Sequence, residues 1–247
     1  MKTLLVAVVT LGLSYSAHAQ KVGPYVTAGG GVARLQVGGM SVTNPVAATS
    51  AGEPLTANNS RSTVAVSRVT VGYNFTENWS AQLSYAKFGT GSASFTFPEY
   101  AGVVWGVGGG PSSYLRNDLV YKPTALSLAG SFTYAVTDNT RMIASAGVTQ
   151  SKVRSRFQTV FKSGAVVANP TYQFVEYSEE SETAYCPTIS LGLDRKITDQ
   201  ISIGLTGTYS GMKLKIPTAP NGPWTTASEQ TKRVAALSAE LYLGWHW

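Results

Sequence analysis

The sequence predicts an all-β protein, an eight-stranded antiparallel up-and-down transmembrane β-barrel with long outer loops and short periplasmic turns. Three observations predict this fold: an export signal, a turn motif that recurs at constant spacing, and segments that alternate between apolar and small polar residues. Only 13% of the 247 residues are charged, whereas roughly 25% is usual for a soluble domain. After residue 20 no apolar run of about 18 residues occurs, which excludes a membrane-spanning helix.

The first 19 residues are typical of a cleaved secretory signal peptide. A basic start at Lys2 is followed by the apolar run Leu4–Leu13, and Ala17–Ala19 matches the small-x-small pattern of a cleavage site. We expect cleavage directly after this motif. Residues 20–247 then form a single domain, the barrel.

A short motif made of a hydrophobic residue, threonine, an acidic residue and an amide occurs three times. Its threonines, Thr76, Thr137 and Thr198, are separated by 61 residues in both intervals. Threonine and Asx side chains bond to their own backbone and so favour tight turns. Because the spacing is constant, the motif predicts three turns on one side of the barrel.

The segments on both sides of each turn alternate with period two, as strands with two different faces do. Before the first turn, for example, Val69, Val71 and Tyr73 alternate with Thr70 and Gly72. One face is apolar, and the other is rich in Ser, Thr and Gly and carries few charges. This combination indicates a wall that faces lipid and encloses a narrow polar lumen.

Three turns join six strands, and one further strand at each chain end makes eight. The predicted strands are 24–35, 62–75, 79–89, 123–135, 140–154, 183–197, 201–211 and 230–247. The longer connections are 36–61, 90–122, 155–182 and 212–229. A ten-stranded barrel would need a hidden strand pair within 90–122, and Pro98 together with Gly108–Pro111 argues against it.

The strand–turn–strand segment Gly72–Tyr85 and the C-terminal segment Leu241–Trp247 carry a family resemblance. With the export signal, they resemble the small Gram-negative outer-membrane β-barrels of the OmpA-transmembrane, OmpX and opacity-protein type. The resemblance implies a location in the cell outer membrane. It also implies that the insertion machinery of that membrane recognises Trp245 and Trp247 as an assembly signal. Tyr242 stands where this family often has glycine.

Barrels of this family serve several functions, so the residues must indicate the role. We expect a structural or surface-interaction role, adhesin-like, with an extracellular ligand bound through the loops. The alternative is a small passive channel for ions or small solutes, because few charges are expected in the lumen. His246, the single histidine after cleavage, is penultimate, so no Ser–His or Asp–His arrangement can form at the outer rim and we expect no enzyme. No cofactor or metal is expected, since Cys186 is the single cysteine.

The formal net charge of +6 is distributed unevenly along the strands. Most cations fall at or beyond the outer strand ends, whereas Arg141 is expected near the periplasmic rim. The predicted outer basic belt comprises Arg34, Lys87, Lys152, Arg154, Arg156, Lys213 and Lys215. We expect this belt to contact outer-membrane lipids and the phosphates of lipopolysaccharide, although snorkelling to any interface would give the same distribution. Nucleic-acid binding is not expected, because the chain is exported and its cations form no single stripe.

Arg68 and Glu240 are charged residues at positions that belong to the polar face of their strands. Arg68 is in step with Thr70 and Gly72, and Glu240 is in step with Ser238. Both must point into the lumen, since an Arg facing lipid at mid-bilayer costs about 2–4 kcal/mol. We expect an Arg68–Glu240 pair that blocks the lumen, with Asp194 as the substitute acid if the register shifts. The alternative is that lumen water hydrates each charge separately.

Overall fold

The computed structural model describes residues 22–38, 41–43, 54–56, 61–97, 103–104, 107–108, 114–162, 173–216 and 230–247. The predicted signal peptide and much of the four predicted connections lie outside these residues. The described strands are β1 (Gly23–Val37), β2 (Ser41–Thr43), β3 (Pro54–Thr56), β4 (Arg61–Asn74), β5 (Trp79–Phe88), β6 (Gly91–Phe97), β7 (Val103–Val104), β8 (Val107–Gly108), β9 (Tyr114–Thr137), β10 (Thr140–Lys162), β11 (Gln173–Lys196), β12 (Ile201–Ile216) and β13 (Gln230–His246). No helix in these ranges is long and apolar enough to cross a membrane.

Eight strands form a closed antiparallel barrel, which confirms the predicted fold. Their order around the wall is β1, β4, β5, β9, β10, β11, β12 and β13, and β13 pairs with β1 to close it. β6 pairs with β9 in line with β5 and nearer the outer end, so it lengthens the wall without adding a ninth position. β2 with β3, and β7 with β8, form separate short ladders.

The three predicted turns connect neighbouring barrel strands on one side. In each of them the threonine side chain caps the turn, as the repeated motif predicts. Thr76 Oγ1 accepts a hydrogen bond from the Trp79 amide at 3.0 Å, and Thr198 Oγ1 accepts one from the Ile201 amide at 3.0 Å. In the middle turn Thr137 Oγ1 accepts from the Thr140 amide at 3.1 Å. In all three turns the amide that donates to the threonine side chain lies three residues after it, so the chain reverses in the same way at each turn.

Three strands extend much farther outward than the sequence predicted. β9 begins at Tyr114 rather than at residue 123, β10 continues to Lys162 rather than 154, and β11 begins at Gln173 rather than 183. The predicted connections 90–122 and 155–182 are therefore partly strand. The same holds for 36–61, which contains β2 and β3, and for 212–229, into which β12 continues as far as Ile216. The assignment of these four segments as loops is corrected accordingly. The prediction used the lipid-facing apolar pattern to set strand ends, but backbone pairing continues after that pattern stops.

The outer face of the barrel carries a belt of exposed large apolar side chains. Its members include Val69, Val71, Leu83, Tyr85, Leu126, Leu128, Val148, Ile189, Leu191, Leu193, Ile203, Leu205, Leu237, Leu241 and Leu243. Soluble monomers rarely expose an apolar surface that is so extensive and continuous. A belt with this composition, bounded by aromatic residues, is the surface that a bilayer covers on a transmembrane barrel.

Candidate functional site

The lumen contains an ion pair at mid-height, between Arg68 on β4 and Glu240 on β13. Arg68 Nε donates to Glu240 Oε2 at 2.9 Å, and Arg68 Nη2 donates to Oε1 at 3.1 Å. Ser238 Oγ adds a third donor, 2.6 Å from Oε1. The carboxylate is almost fully buried, with 2% of its side chain exposed. The pair is therefore bidentate and charge-assisted, the stronger class of hydrogen bond.

Glycines in the intervening strand β1 allow this pair to form. Gly29 lies opposite Arg68, and Gly31 lies opposite Glu240. The side chains of Arg68 and Glu240 therefore meet across a part of β1 that has no inward side chains. A Cβ added at Gly31 would lie 1.9 Å from the Ala239 carbonyl oxygen. Any larger residue there must displace β13, which explains why small residues occupy this part of β1.

A second lumen ion pair lies nearer the periplasmic turns. Arg141 Nη2 at the start of β10 contacts Asp194 Oδ2 on β11, where the two residues are directly opposite. Tyr242 Oη donates to the other oxygen, Asp194 Oδ1, at 3.1 Å. Asp194 is thus in the lumen as expected, but its partner is Arg141 and not Arg68. Arg141 lies close to the periplasmic turn, as expected, and its side chain points inward to Asp194.

Tyr242 connects the two pairs because it follows Glu240 by two residues on the inward face of β13. Its ring lies over Gly204 on the neighbouring strand β12, where an added Cβ would be 2.2 Å from the ring. A glycine is therefore required on β12 because the tyrosine is on β13.

A polar cavity of about 100 Å³ surrounds both ion pairs. Its lining includes Thr27, Thr70, Ser84, Ser127, Ser145, Thr188, Ser190, Thr206 and Thr208. This volume is enough for a few water molecules, and the hydroxyl groups can hydrogen-bond to them. His246 and Tyr25 also line the cavity, and their rings stack with centroids 5.7 Å apart.

Above the cavity the lumen changes character, which contradicts the prediction that it is polar throughout. A buried apolar cluster fills its outer half and includes Leu35, Val37, Val64, Val66, Phe88, Leu119, Tyr121, Val153, Phe157, Met212, Leu214 and Val234. Seven of the barrel strands contribute to the cluster. At this level the inward positions of these strands are apolar and the outward positions are polar or charged, which is the pattern of a soluble barrel.

The predicted outer basic belt lies at the level of this apolar cluster. Arg34, Lys87, Lys152, Arg154, Arg156 and Lys213 are exposed and alternate with buried residues on their strands, so they point outward. Arg156 Nε lies 3.9 Å from Glu179 Oε1, which joins the two arms of the protruding β10–β11 hairpin. Lys215 is less exposed, and its Nζ lies 3.5 Å from Glu180 Oε2.

Trp245 is on the outward face of β13, and Trp247 directly follows the last residue of that strand. Trp245 is 42% exposed and Trp247 is 53% exposed, and Trp245 lies opposite Val26 at the closing seam. This position is compatible with their predicted use as an assembly signal, which remains a prediction. No group of three or more metal-ligating side chains occurs among the described residues.

Comparison with known proteins identifies the architecture. No protein-family model and no curated protein sequence matches the chain. The crystal structure of the outer membrane protein OprG from Pseudomonas aeruginosa is similar with a TM-score of 0.51 and 13% identity, over 94% of this chain and 99% of OprG.

Two further solved structures are similar at lower scores. Neisserial surface protein A gives a TM-score of 0.47 and 8% identity over 91% of this chain and 97% of its own. Ail from Yersinia pestis gives a TM-score of 0.41 and 11% identity over 92% and 100%. At 13% identity the similarity to OprG concerns the fold alone. The closed antiparallel wall and that similarity together give the chain the eight-stranded barrel fold of small outer-membrane proteins.

Proposed function

We propose that this protein resides in the outer membrane, where it has a structural or surface-interaction role and its lumen does not conduct. The observation that carries the proposal is the apolar cluster in the outer half of the lumen. Ions and polar solutes would have to displace residues such as Leu35 and Met212, which are 0% and 1% exposed. Below this cluster, the Arg68–Glu240 pair adds a second obstruction.

The location follows from features at both chain ends and on the outer face. The N-terminal export signal, the C-terminal Trp247 and the exposed apolar belt are all expected of a barrel in a lipid bilayer. Assembly would involve the insertion machinery of the outer membrane. The basic belt is then placed to contact lipids and lipopolysaccharide at the outer surface.

The surface role is supported by the long strands β9, β10 and β11. They hold a sheet beyond the apolar belt, and their pairing reaches Lys162 opposite Gln173. Such a projecting sheet can present an extracellular binding surface. We also propose a non-enzymatic role, because His246 is stacked on Tyr25 at the end opposite to this surface.

Conductance measurements in planar bilayers test the closed lumen. We expect the wild-type protein to give no discrete openings, and we expect Glu240→Gln to remain silent because the apolar cluster is intact. A porin inserted in the same bilayers serves as the positive control for detection. Stable discrete openings of the wild-type protein would overturn the proposal and favour the passive-channel alternative.

A binding screen tests the surface role. Purified barrel would be assayed against lipopolysaccharide, matrix proteins and complement factors, with a variant in which a short turn replaces residues 155–182 as the control. We expect at least one interaction that this shortened hairpin loses. Equal binding by both proteins would argue against a role for the projecting sheet.

A further inference from the structure

Four cations on one flank of the barrel form a compact group on the outward face. They are Lys87 on β5, Lys122 on β9, and Lys152 and Arg154 on β10, and we name this group the β5–β9–β10 patch. We propose that the patch binds the phosphate-bearing headgroup of an outer-leaflet lipid. The inference rests on the proposed outer-membrane location and assigns its lipid contact to one site.

The strand register brings these four residues together. Lys122 lies directly opposite Arg154. Thr124 lies opposite Lys152 on one side and opposite Lys87 on the other. With neighbouring strands about 4.8 Å apart and alternate residues about 7 Å apart along a strand, the patch is roughly 10 Å wide and 7 Å high.

The arrangement is unfavourable without an external anion. Like charges directly opposite each other on a sheet repel and destabilise the strand pair. All four side chains are exposed, and within the part of the chain that the structure describes none of them forms an ion pair. The neighbouring Arg156 differs, since Glu179 lies beside it. A bound anion would relieve the repulsion that the protein itself leaves uncompensated.

The height of the patch favours a lipid over a soluble polyanion. Lys87 follows the lipid-facing Tyr85 by two residues on the same face of β5, and Leu126 is the second outward residue below Lys122 on β9. The cations therefore begin where the apolar belt ends, which is the level of headgroup phosphates. Arg154 can bind a phosphate with two parallel N–H···O bonds, and the lysines add point charges.

A pair of double variants tests the site. Lys122→Gln with Arg154→Gln removes two charges from the patch. Arg195→Gln with Lys196→Gln is the control, because it removes the same number of cations from the periplasmic end of β11, away from the patch and from the basic belt. Each purified full-length mature protein would be titrated in uncharged detergent micelles with diphosphorylated lipid A, and the urea midpoint of unfolding would be followed.

We expect lipid A to raise the urea midpoint of the wild-type protein and of the control variant. The patch variant should need about tenfold more lipid A for the same rise, which corresponds to the loss of about one charge-assisted hydrogen bond. Without lipid, the patch variant should be as stable as the wild type or more stable, because repulsion is relieved. Dephosphorylated lipid A should have little effect on any of the three proteins.

Other outcomes overturn the inference in distinguishable ways. Equal weakening of both double variants would show that the charges act diffusely, which removes the site but leaves the proposed location intact. Full competition by inositol hexakisphosphate at equal concentration would assign the patch to a soluble polyanion. No response of the wild-type protein to lipid A would overturn the site and the lipid contact, while fractionation of the protein tests its location independently.

Discussion

At the scale of single residues, the structure of the lumen depends on a few buried charged side chains whose hydrogen-bonding groups are paired with one another. Glu240 receives hydrogen bonds from Arg68 and Ser238, and its side chain is 2% exposed. Removing one member of such a pair leaves the other charged and poorly solvated. The energetic role of the pair is therefore tested by removing one charge and then both.

Glu240→Gln should destabilise the folded barrel by about 3 kcal/mol. This is the lower end of the range for breaking a buried pair, because the adjacent cavity can supply water to Arg68. The measurement is the free energy of unfolding in urea, in detergent micelles. Glu179→Gln is the control. In its ion pair the side chains of Arg156 and Glu179 are 47% and 70% exposed, so the pair should contribute less than about 1 kcal/mol to the free energy of unfolding.

The double variant Arg68→Met with Glu240→Leu should recover much of the loss, because neither charge then remains unpaired. A single Glu240→Gln variant as stable as the wild type would show instead that lumen water hydrates the two charges independently.

Gly204→Ala should disrupt the packing of the Tyr242 ring against Gly204 on β12. The added methyl group would lie 2.2 Å from the tyrosine ring, so the ring must move and its hydrogen bond to Asp194 is lost. We expect a destabilisation of about 1–3 kcal/mol, typical of overpacking in a filled interior. Gly130→Ala is the matched control, because a Cβ there meets nothing within 4 Å. Similar unfolding midpoints for the two variants would show that the packing of the Tyr242 ring against Gly204 does not contribute to stability.

The sequence contains enough information to predict the contact between Arg68 and Glu240, but not the one between Arg141 and Asp194. Arg68 and Glu240 each follow the period of their strands, and a single strand separates them. Arg141 follows a turn closely, so it is predicted near the rim, where it lies. Its alternation with the outward residues, shared with Ser145, also predicts that its side chain points inward. The bulge between Thr140 and Arg141 is the feature that the alternation alone does not reveal.

At the scale of strands, the polarity of both faces reverses along β10 without any change of phase. The outward residues change from Met142 and Val148 to Lys152 and Arg154, whereas the inward residues change from Ser145 to Val153. Strand ends predicted from the apolar outward pattern therefore mark the membrane boundary and not the end of pairing. The outer limits of β9 and β11 were predicted too short for the same reason.

The last strand closes the barrel, and its aromatic outward residues are expected to direct assembly. Replacing Trp245 and Trp247 together by alanine should reduce the amount of folded barrel in the outer membrane several-fold, while the purified variant still refolds in detergent. The heat-dependent shift in gel mobility measures the folded fraction. Trp79→Ala, another exposed tryptophan (58%) near a periplasmic turn, should assemble normally. Equal losses in both variants would indicate a general need for interfacial aromatics.

At the scale of the whole molecule, the exported barrel should lack its first 19 residues. We expect intact-mass measurement of the protein from isolated outer membranes to give a chain that begins at Gln20, because the small-x-small motif ends at Ala19. Replacing Ala17 and Ala19 by bulky residues should leave the signal attached. Recovery of the full-length chain in the cytoplasm would contradict both the export signal and the proposed location.

The reversal of polarity inside the barrel has a thermodynamic consequence. The outer half of the interior is held by apolar burial, whereas the periplasmic half is held by ion pairs and hydroxyl groups. Unfolding of apolar interiors raises the heat capacity, by about 0.45 cal/K/mol for each Å² exposed, and exposure of polar groups lowers it. Because hydrophobic stabilisation weakens on cooling, the outer half should lose stability near 0 °C before the periplasmic half does. Amide hydrogen exchange at Leu35 and Met212 should therefore accelerate on cooling relative to that at Asp194, once intrinsic rates are corrected for temperature.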